Sequence, residues 1–423
     1  MKKWIVALLV ALFCLVPVFA NGEKESAGDT VHEGPTVIHH WYWVPNADLA
    51  RYTELINAFN ASHPDIEVVW ENVPKSDVRS KFITAYQVGD GPDTFGMSES
   101  WVSEFAAMNM MEPLDGYLSN WGGYSDIIPN LWDAGNIDGT QYGIPWKLLV
   151  TYMYYRADWF KEAGLEVPQN MDEFVKVAKA LTGKYTDESG ETVDRYGFGM
   201  RGGKGNSQGY YIWVQSYGAK LYDENGNVAF NSPLAIEATQ KYLDLFQKDK
   251  VTPPSTVGDG FAEIVGAFKS GKTAMFQHHI GTSVEISQAL GDKVGVMLYP
   301  AGPTGKRWSE GSTIFHGISS ISKHKKEAFE FVSWMSEKYA VDFESKYLGS
   351  IPVCNSVSQE AFFSENPFYA TSNESVKYVG PWPKTVGWSK IIDSTTVKLL
   401  QQALMGQISA ADMVEQISVE LAK

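Results

Sequence analysis

Cysteine is nearly missing: the 423 residues hold two, Cys14 and Cys354. Cys14 lies inside an apolar N-terminal stretch, which leaves Cys354 alone in the body of the chain. A single thiol can form neither an internal disulfide nor a thiolate metal site. Positive charge is also short, with 35 Lys plus Arg against 50 Asp plus Glu and a formal net charge of −15. That balance excludes the basic footprint with which proteins neutralise nucleic-acid phosphates. Beyond the N-terminal stretch no run reaches the ~18–20 uninterrupted apolar residues of a membrane-spanning helix. No repeat at solenoid spacing and no long Pro- or Ser-rich linker divides the chain. What it has in plenty is aromatic surface: 14 Trp, 21 Tyr and 21 Phe. Leu and Val fill cores more readily than indole, so the tryptophans hint at flat faces kept for stacking, with about half of them expected in the core. A composition of 44% hydrophobic and 20% charged residues is globular and excludes a disordered chain. The length suits two or three domains, each with its own core.

The first segment reads as an export signal. Met1, Lys2 and Lys3 form a basic start, Trp4 to Phe13 an apolar stretch, and Pro17 breaks the helix ahead of Val18-Phe19-Ala20. Cleavage is expected after Ala20, giving a soluble periplasmic or extracytoplasmic protein that opens on a flexible polar leader, residues 21–35. Lipid anchoring at Cys14 is the less favoured alternative, because Phe13 stands where lipoprotein processing wants a small residue.

Strands and helices then alternate. Thr36 to Val44 is strand-like, and Asp48 or Asn46 can cap a helix carrying Leu49, Tyr52, Ile56 and Phe59 on one face. Ile66 to Trp70 is a second strand, Asp77 to Val88 an amphipathic helix, Thr94 to Gly96 a short third strand, and Trp101 to Met110 a helix. Further on, Tyr196 to Met200 and Val294 to Leu298 read as strands. Pro233 to Gln247, Phe261 to Ser270, Lys325 to Lys338 and the stretch from Thr395 onward read as helices. Such alternation predicts α/β architecture with mostly parallel sheets.

Four stretches in this order resemble a known family. They are Gly89-Asp90-Gly91-Pro92-Asp93-Thr94-Phe95 with Met111-Glu112-Pro113-Leu114-Asp115; Tyr142-Gly143-Ile144-Pro145-Trp146 with the run Tyr154 to Leu165; Ala267-Phe268-Lys269-Ser270-Gly271-Lys272-Thr273-Ala274-Met275; and Gly302-Pro303-Thr304-Gly305 with an Ile318 to Ile321 strand and Gly349-Ser350-Ile351-Pro352. Together they resemble the extracellular solute-binding proteins of bacterial ABC importers, the sugar-binding branch (family 1). Arg156 departs from that branch, which more often has Asn there. The resemblance implies a two-lobed periplasmic-binding-protein fold, type II-like, with each lobe a mostly parallel sheet flanked by helices. It also implies three chain crossings, placed near Leu148 to Thr151, Met297 to Gly302 and Gly349 to Pro352. The N-lobe is then 36–148 with 301–350, and the C-lobe 151–298 with 352–423. The implied function is capture of a carbohydrate, an oligosaccharide by this reading, in the cleft between lobes and its delivery to the permease subunits at the membrane. A monomer without cofactor is expected, with no enzymatic activity and no nucleic-acid partner.

Ligands of open α/β sheets lie at the carboxyl ends of the strands. Candidate stacking residues there and at the crossings are Trp43, Trp101, Trp146, Trp213, Trp308, Trp382 and Trp388. Candidate hydrogen-bonding residues are Ser98, Glu99, Arg201, Gln277, His278 and His316. A sugar suits such a mixture, since its C–H faces stack on aromatic rings and its hydroxyls need polar partners.

Other readings are weaker. Gly266 to Thr273 matches the pattern of a phosphate-binding loop, but a helix precedes it and a strand-like run comes after, the reverse of what that loop needs. The doublets His39-His40 and His278-His279 give one metal ligand each at most, because neighbours on a strand face opposite ways. Polyol, polyamine or peptide ligands in the same fold are alternatives. An exported glycan hydrolase, with Glu99 paired to Asp48 or Glu310, is the more distant one.

Overall fold

Seven strands make the main sheet: β1 (Thr36–Tyr42), β2 (Ile66–Asn72), β3 (Thr94–Ser98), β4 (Ile144–Arg156), β5 (Met275–His279), β6 (Val294–Met297) and β7 (Gly311–Ile318). They run in the order β6-β4-β7-β3-β1-β2, with β5 also on β4. The computed structural model describes residues 34–186, 190–380, 382–383, 385 and 387–423. The expected signal, its cleavage after Ala20, the Cys14 question and the leader up to residue 33 lie outside the described residues.

β1 pairs in parallel with β2 and β3, so their carboxyl ends share one edge. β7 is antiparallel to both β3 and β4, and β5 and β6 are antiparallel to β4. The fold is thus mixed α/β, with the parallel pattern confined to β2-β1-β3 and to single bridges such as Gly199 to Phe276. The strand expected at Tyr196 to Met200 does not form a ladder. Its Tyr196 and Gly199 amides bond Lys272 and Met275, but the Phe198 amide turns away to Val251.

β4 is the long element. Ile144 to Val150 pair with β7, and from Thr151 onward the same strand pairs with β5 and β6. Beside that switch, Leu148 bridges Ile351, and the Thr151 amide bonds the Glu310 carbonyl. Nearly every β4 residue is buried, as befits a strand covered on both faces.

The helices bury the stripes their sequences carry. Leu49–Ser62 buries Tyr52, Leu55, Ile56 and Phe59, and Lys75–Gln87 buries Val78 and Phe82. Ser207–Tyr217 is buried almost all round. Pro233–Gln247 begins after the capping side chain of Ser232. One core gathers around Ile38, Phe59, Trp146 and Phe331; a second gathers around Phe174, Trp213, Leu400 and Ile417. A small third core packs Phe82, Phe95 and Phe105.

Three further local expectations are corrected. The strand expected at Ile318 to Ile321 ends at Ile318, where the chain turns through Ser319 and Ser322. The helix expected over Lys325 to Lys338 is two, Lys325–Trp334 and Lys338–Glu344, split where Glu337 adopts an extended backbone. Asp48 makes no side-chain cap to its helix. Close approach of backbones fixes Gly302: a Cβ there would lie 2.1 Å from the Ser216 carbonyl oxygen. That contact seats 301–310 on the Ser207–Tyr217 helix.

Candidate functional site

Because β1, β2 and β3 are parallel, the residues just beyond each strand gather at one edge: Trp43 after β1, Lys75 after β2, and Glu99 and Trp101 after β3. The Trp43 and Trp101 rings lie 5.4 Å apart, and the Lys75 ammonium stands 5.9 Å from the Trp43 ring centre. Opposite them come Arg201, the carboxyl end of β5 with Gln277, His278 and His279, Glu310 just before β7, and Asp393. The Trp101 side chain hydrogen-bonds Asp393. Rim contacts close the edge. Lys204 Nζ donates to the Ser76 carbonyl at 3.4 Å, and Ser389 Oγ donates to Glu104 at 2.9 Å; Arg79 Nε holds the same carboxylate at 2.8 Å.

Lys75 stands among these charged groups. Its side chain is exposed, yet desolvation by the protein around it lowers the pKa of its amine, partly offset by the charges of Glu310 and Asp393. Water reaches the group, but protein walls it in. Burial likewise raises the pKa of Glu310 against the pull of Gln208, Lys75 and Arg201, and raises that of Asp393. Arg201 is lowered by burial to about 10, so it stays charged at neutral pH. Burial holds His278 and His279 well below the ordinary histidine range, and both are neutral. Deeper in, Lys147 Nζ donates to the fully buried Glu344 at 2.7 Å and lies 4.6 Å from the Trp146 ring centre. Asp48 faces this pair, and its carboxyl is raised to about 6, first by burial and then by the charge of Glu344.

Several polar atoms here are buried without a hydrogen-bond partner among the described residues: Arg201 Nη2, Gln277 Nε2, Glu310 Oε2 and Ser98 Oγ. Leaving such an atom unpaired costs about 1–3 kcal/mol each, so the site is short of hydrogen bonds that a polar ligand can make.

The structure brings Trp43, Trp101, Arg201 and His278 around Lys75, with Ser98 at the end of β3 and Gln277 near the end of β5. Glu99 sits at the edge of the cleft and accepts a hydrogen bond from the Thr313 amide at 3.2 Å. Trp308 and Trp382 are half-buried, 4.8 Å apart and edge to face, beside the cleft. Four candidates are corrected to the core. Trp146 and His316 are fully buried and stacked at 4.5 Å. Trp213 spends its indole N–H on the Ala238 carbonyl at 2.9 Å, and Trp388 is enclosed by Tyr211 and Trp382. Sequence reasoning missed Lys75, Asp393 and the place of Glu310 beside Lys75 and Arg201. Lys75 carried a usable signal, since it succeeds a parallel strand just as Trp43 does.

The phosphate-loop match at Gly266 to Thr273 spans the end of the Phe261–Lys269 helix and the turn that leads to β5. His40 lies in the core, hydrogen-bonded to Thr94 and Tyr52. Among the described residues no three His, Cys, Asp or Glu side chains group to hold a metal.

A cleft with indole faces on one wall and both a cation and carboxylates on the other, beside a strand that changes sheet partners midway, defines a two-lobed solute-binding protein. The family profile described as bacterial extracellular solute-binding protein matches residues 45–340, and the chain belongs to that family. It is 28% identical to a putative binding protein of Brucella abortus, over 84% of this chain and 85% of that one. It is 25% identical to the mannitol-binding protein of Pseudomonas aeruginosa, over 97% and 95%. The fold matches a maltose-bound binding protein of T. maritima with a TM-score of 0.83 and 22% identity, covering 91% of this chain and 99% of that one. Members of this family are extracellular binding proteins. No helix among the described residues is long and apolar enough to cross a membrane.

Proposed function

We propose that the protein captures a neutral polyhydroxylated solute, a sugar or sugar alcohol, in this cleft and delivers it to the permease of an ABC importer without altering it. The observation that carries the reading is the set of orphaned atoms, Arg201 Nη2, Gln277 Nε2 and Glu310 Oε2, beside the Trp43 and Trp101 rings. Donors and an acceptor together suit hydroxyl groups, which both give and accept, and the presence of both charge signs favours an uncharged ligand. The mannitol ligand of one relative and the maltose of one structural neighbour are in keeping with this class.

Lobe closure is part of the proposal. The hinge runs where β4 changes partners, between Val150 and Thr151, with a second crossing near Glu310 to Gly311 and a third at Gly349 to Pro352. We place the second crossing there and not at Met297 to Gly302 because 301–310 packs on the Ser207–Tyr217 helix. The protein then acts as an exported monomer, processed after Ala20.

A thermal-shift screen of sugars, sugar alcohols, amines, peptides and metal ions tests the reading, since a ligand of the native state raises its melting temperature. Sugars or alditols are expected to give the large shifts. A shift with amines, peptides or metals alone overturns the ligand class, and release of product from a bound oligosaccharide overturns the non-enzymatic role.

A further inference from the structure

His279 ends β5 and stands opposite Thr151, the first residue of β4 after that strand changes partners. Its ring closes a row that starts at the Arg201 guanidinium, 5.8 Å from the Phe261 ring. The row runs on through His278, whose ring centre lies 4.7 Å from that of Phe261 and 3.9 Å from that of His279. His278 is buried and spends Nδ1 on the Thr282 hydroxyl, whereas His279 is half-exposed. The charges that act on the His279 imidazole are those of Lys75, Arg201 and Lys147, all of them cationic.

The backbone decides which ring nitrogen of His279 carries the proton. The Gly281 amide donates to Nδ1 at 3.1 Å. A nitrogen that accepts is bare, so the neutral ring holds its proton on Nε2. The turn also fixes the ring in place. A Cβ on Gly281 would lie 2.8 Å from His279 Cε1 and 2.9 Å from Nδ1, so only glycine lets the imidazole rest against the chain there. That same Cβ would lie 3.4 Å from the Gly349 carbonyl oxygen, at the third crossing, and the Tyr154 hydroxyl donates to the His279 carbonyl at 3.0 Å. The imidazole is thus anchored between the first crossing and the third, with one tautomer selected.

We infer that His279 determines specificity at the hinge: its Nε2–H, set as a donor by the Gly281 amide, gives a hydrogen bond to one oxygen of the captured solute. The inference rests on the sugar reading above and names a residue that discriminates within that class. A solute must bring an oxygen lone pair to this point. A deoxy analogue has none, and an ammonium group sets donor against donor.

Calorimetry with a panel of pentoses, hexoses, disaccharides and their alditols, run on the parent, His279→Asn and His279→Gln, tests the inference. Asn keeps an acceptor for the Gly281 amide but does not reach the place of Nε2, and Gln brings an amide nitrogen there. His279→Asn should weaken each binder about 2- to 13-fold at an unchanged melting temperature, and His279→Gln should recover most of that loss. Among monodeoxy analogues of a binder, one should lose as much as the Asn variant does, with no further loss when variant and analogue are combined. Nitrogen NMR on histidine-labelled parent, with His279 assigned by its loss in the Asn variant, should show the Nε2–H tautomer before ligand is added and a displaced Nε2 signal after. An Nδ1–H tautomer, an Nε2 signal that a bound sugar does not move, an equal loss in both variants, or unchanged affinity in His279→Asn overturns the inference and leaves the sugar reading standing. Failure of the whole panel to bind the parent protein removes the sugar reading, and the inference with it.

Discussion

Arg201→Met is the sharpest probe of the cleft. The guanidinium gives Nη1 to the Gly205 carbonyl at 3.3 Å, holds Nη2 without a partner among the described residues, and lies 5.8 Å from the Phe261 ring. Methionine keeps much of the stem against that ring and deletes the charged donor. A hydrogen bond from a charged group contributes about 1.5–3 kcal/mol. Affinity should therefore fall about 13- to 160-fold, read by calorimetry on purified protein. The unliganded protein should melt no earlier than the parent, because a buried cation with an unfilled donor is a cost that the variant escapes. The charge of Arg201 also pulls the raised pKa of Glu310 downward. Without it the Glu310 carboxyl should protonate at higher pH, so the variant's affinity should change with acidification sooner than the parent's. Glu310→Gln in the same background should abolish that slope. Unchanged affinity, or a melting temperature that collapses along with binding, would refute the placement of Arg201 at the ligand.

Lys147→Met strands the buried Glu344 carboxylate and should cost about 3–5 kcal/mol in urea unfolding at neutral pH. The folded-state pKa of Glu344 is raised by burial even with its partner present. Its stabilising contribution is thus full below the unfolded pKa and lost as pH rises through the folded one, so the variant's deficit should shrink towards acid; a deficit independent of pH would contradict this. Trp43→Ala should weaken every accepted ligand at least about tenfold with little loss of stability. Trp213→Ala should instead cost about 3–5 kcal/mol of stability with near-normal binding by the surviving folded protein, and an exchange of the two phenotypes would reverse their assignments. If the lobes close about Val150–Thr151, the scattering radius of gyration should fall on adding ligand; tight binding at constant radius would remove the hinge.

What could be read from the sequence came from one rule and failed where a second layer of packing intervened. Parallel strands put their loops at one edge, and that rule led to Trp43, Ser98 and Trp101, which lie at the carboxyl ends of β1 and β3. The same rule carried through β2 would have reached Lys75. It failed for Trp146 because β4 is the strand both halves of the sheet share, so a residue near the crossing is covered on both faces. Trp213 failed because its helix is buried almost all round, which leaves little amphipathic period to tell a cleft face from a core face. His316, between two buried strands, turns its ring onto Trp146 for want of any other space. Asp393 was out of reach for another reason: it belongs to the C-terminal helical region, and only the folding of that region back against the Glu99–Ala107 helix brings it to Trp101. Glu310 was visible as a residue but not as a neighbour of Lys75 and Arg201. Its place depends on the 301–310 stretch lying along the Ser207–Tyr217 helix, a contact between segments almost a hundred residues apart that no local pattern encodes. The cleft's first wall is thus written in local order, whereas the second wall is a product of tertiary packing. Substitutions on the second wall should accordingly alter which solute is preferred more than whether the protein folds.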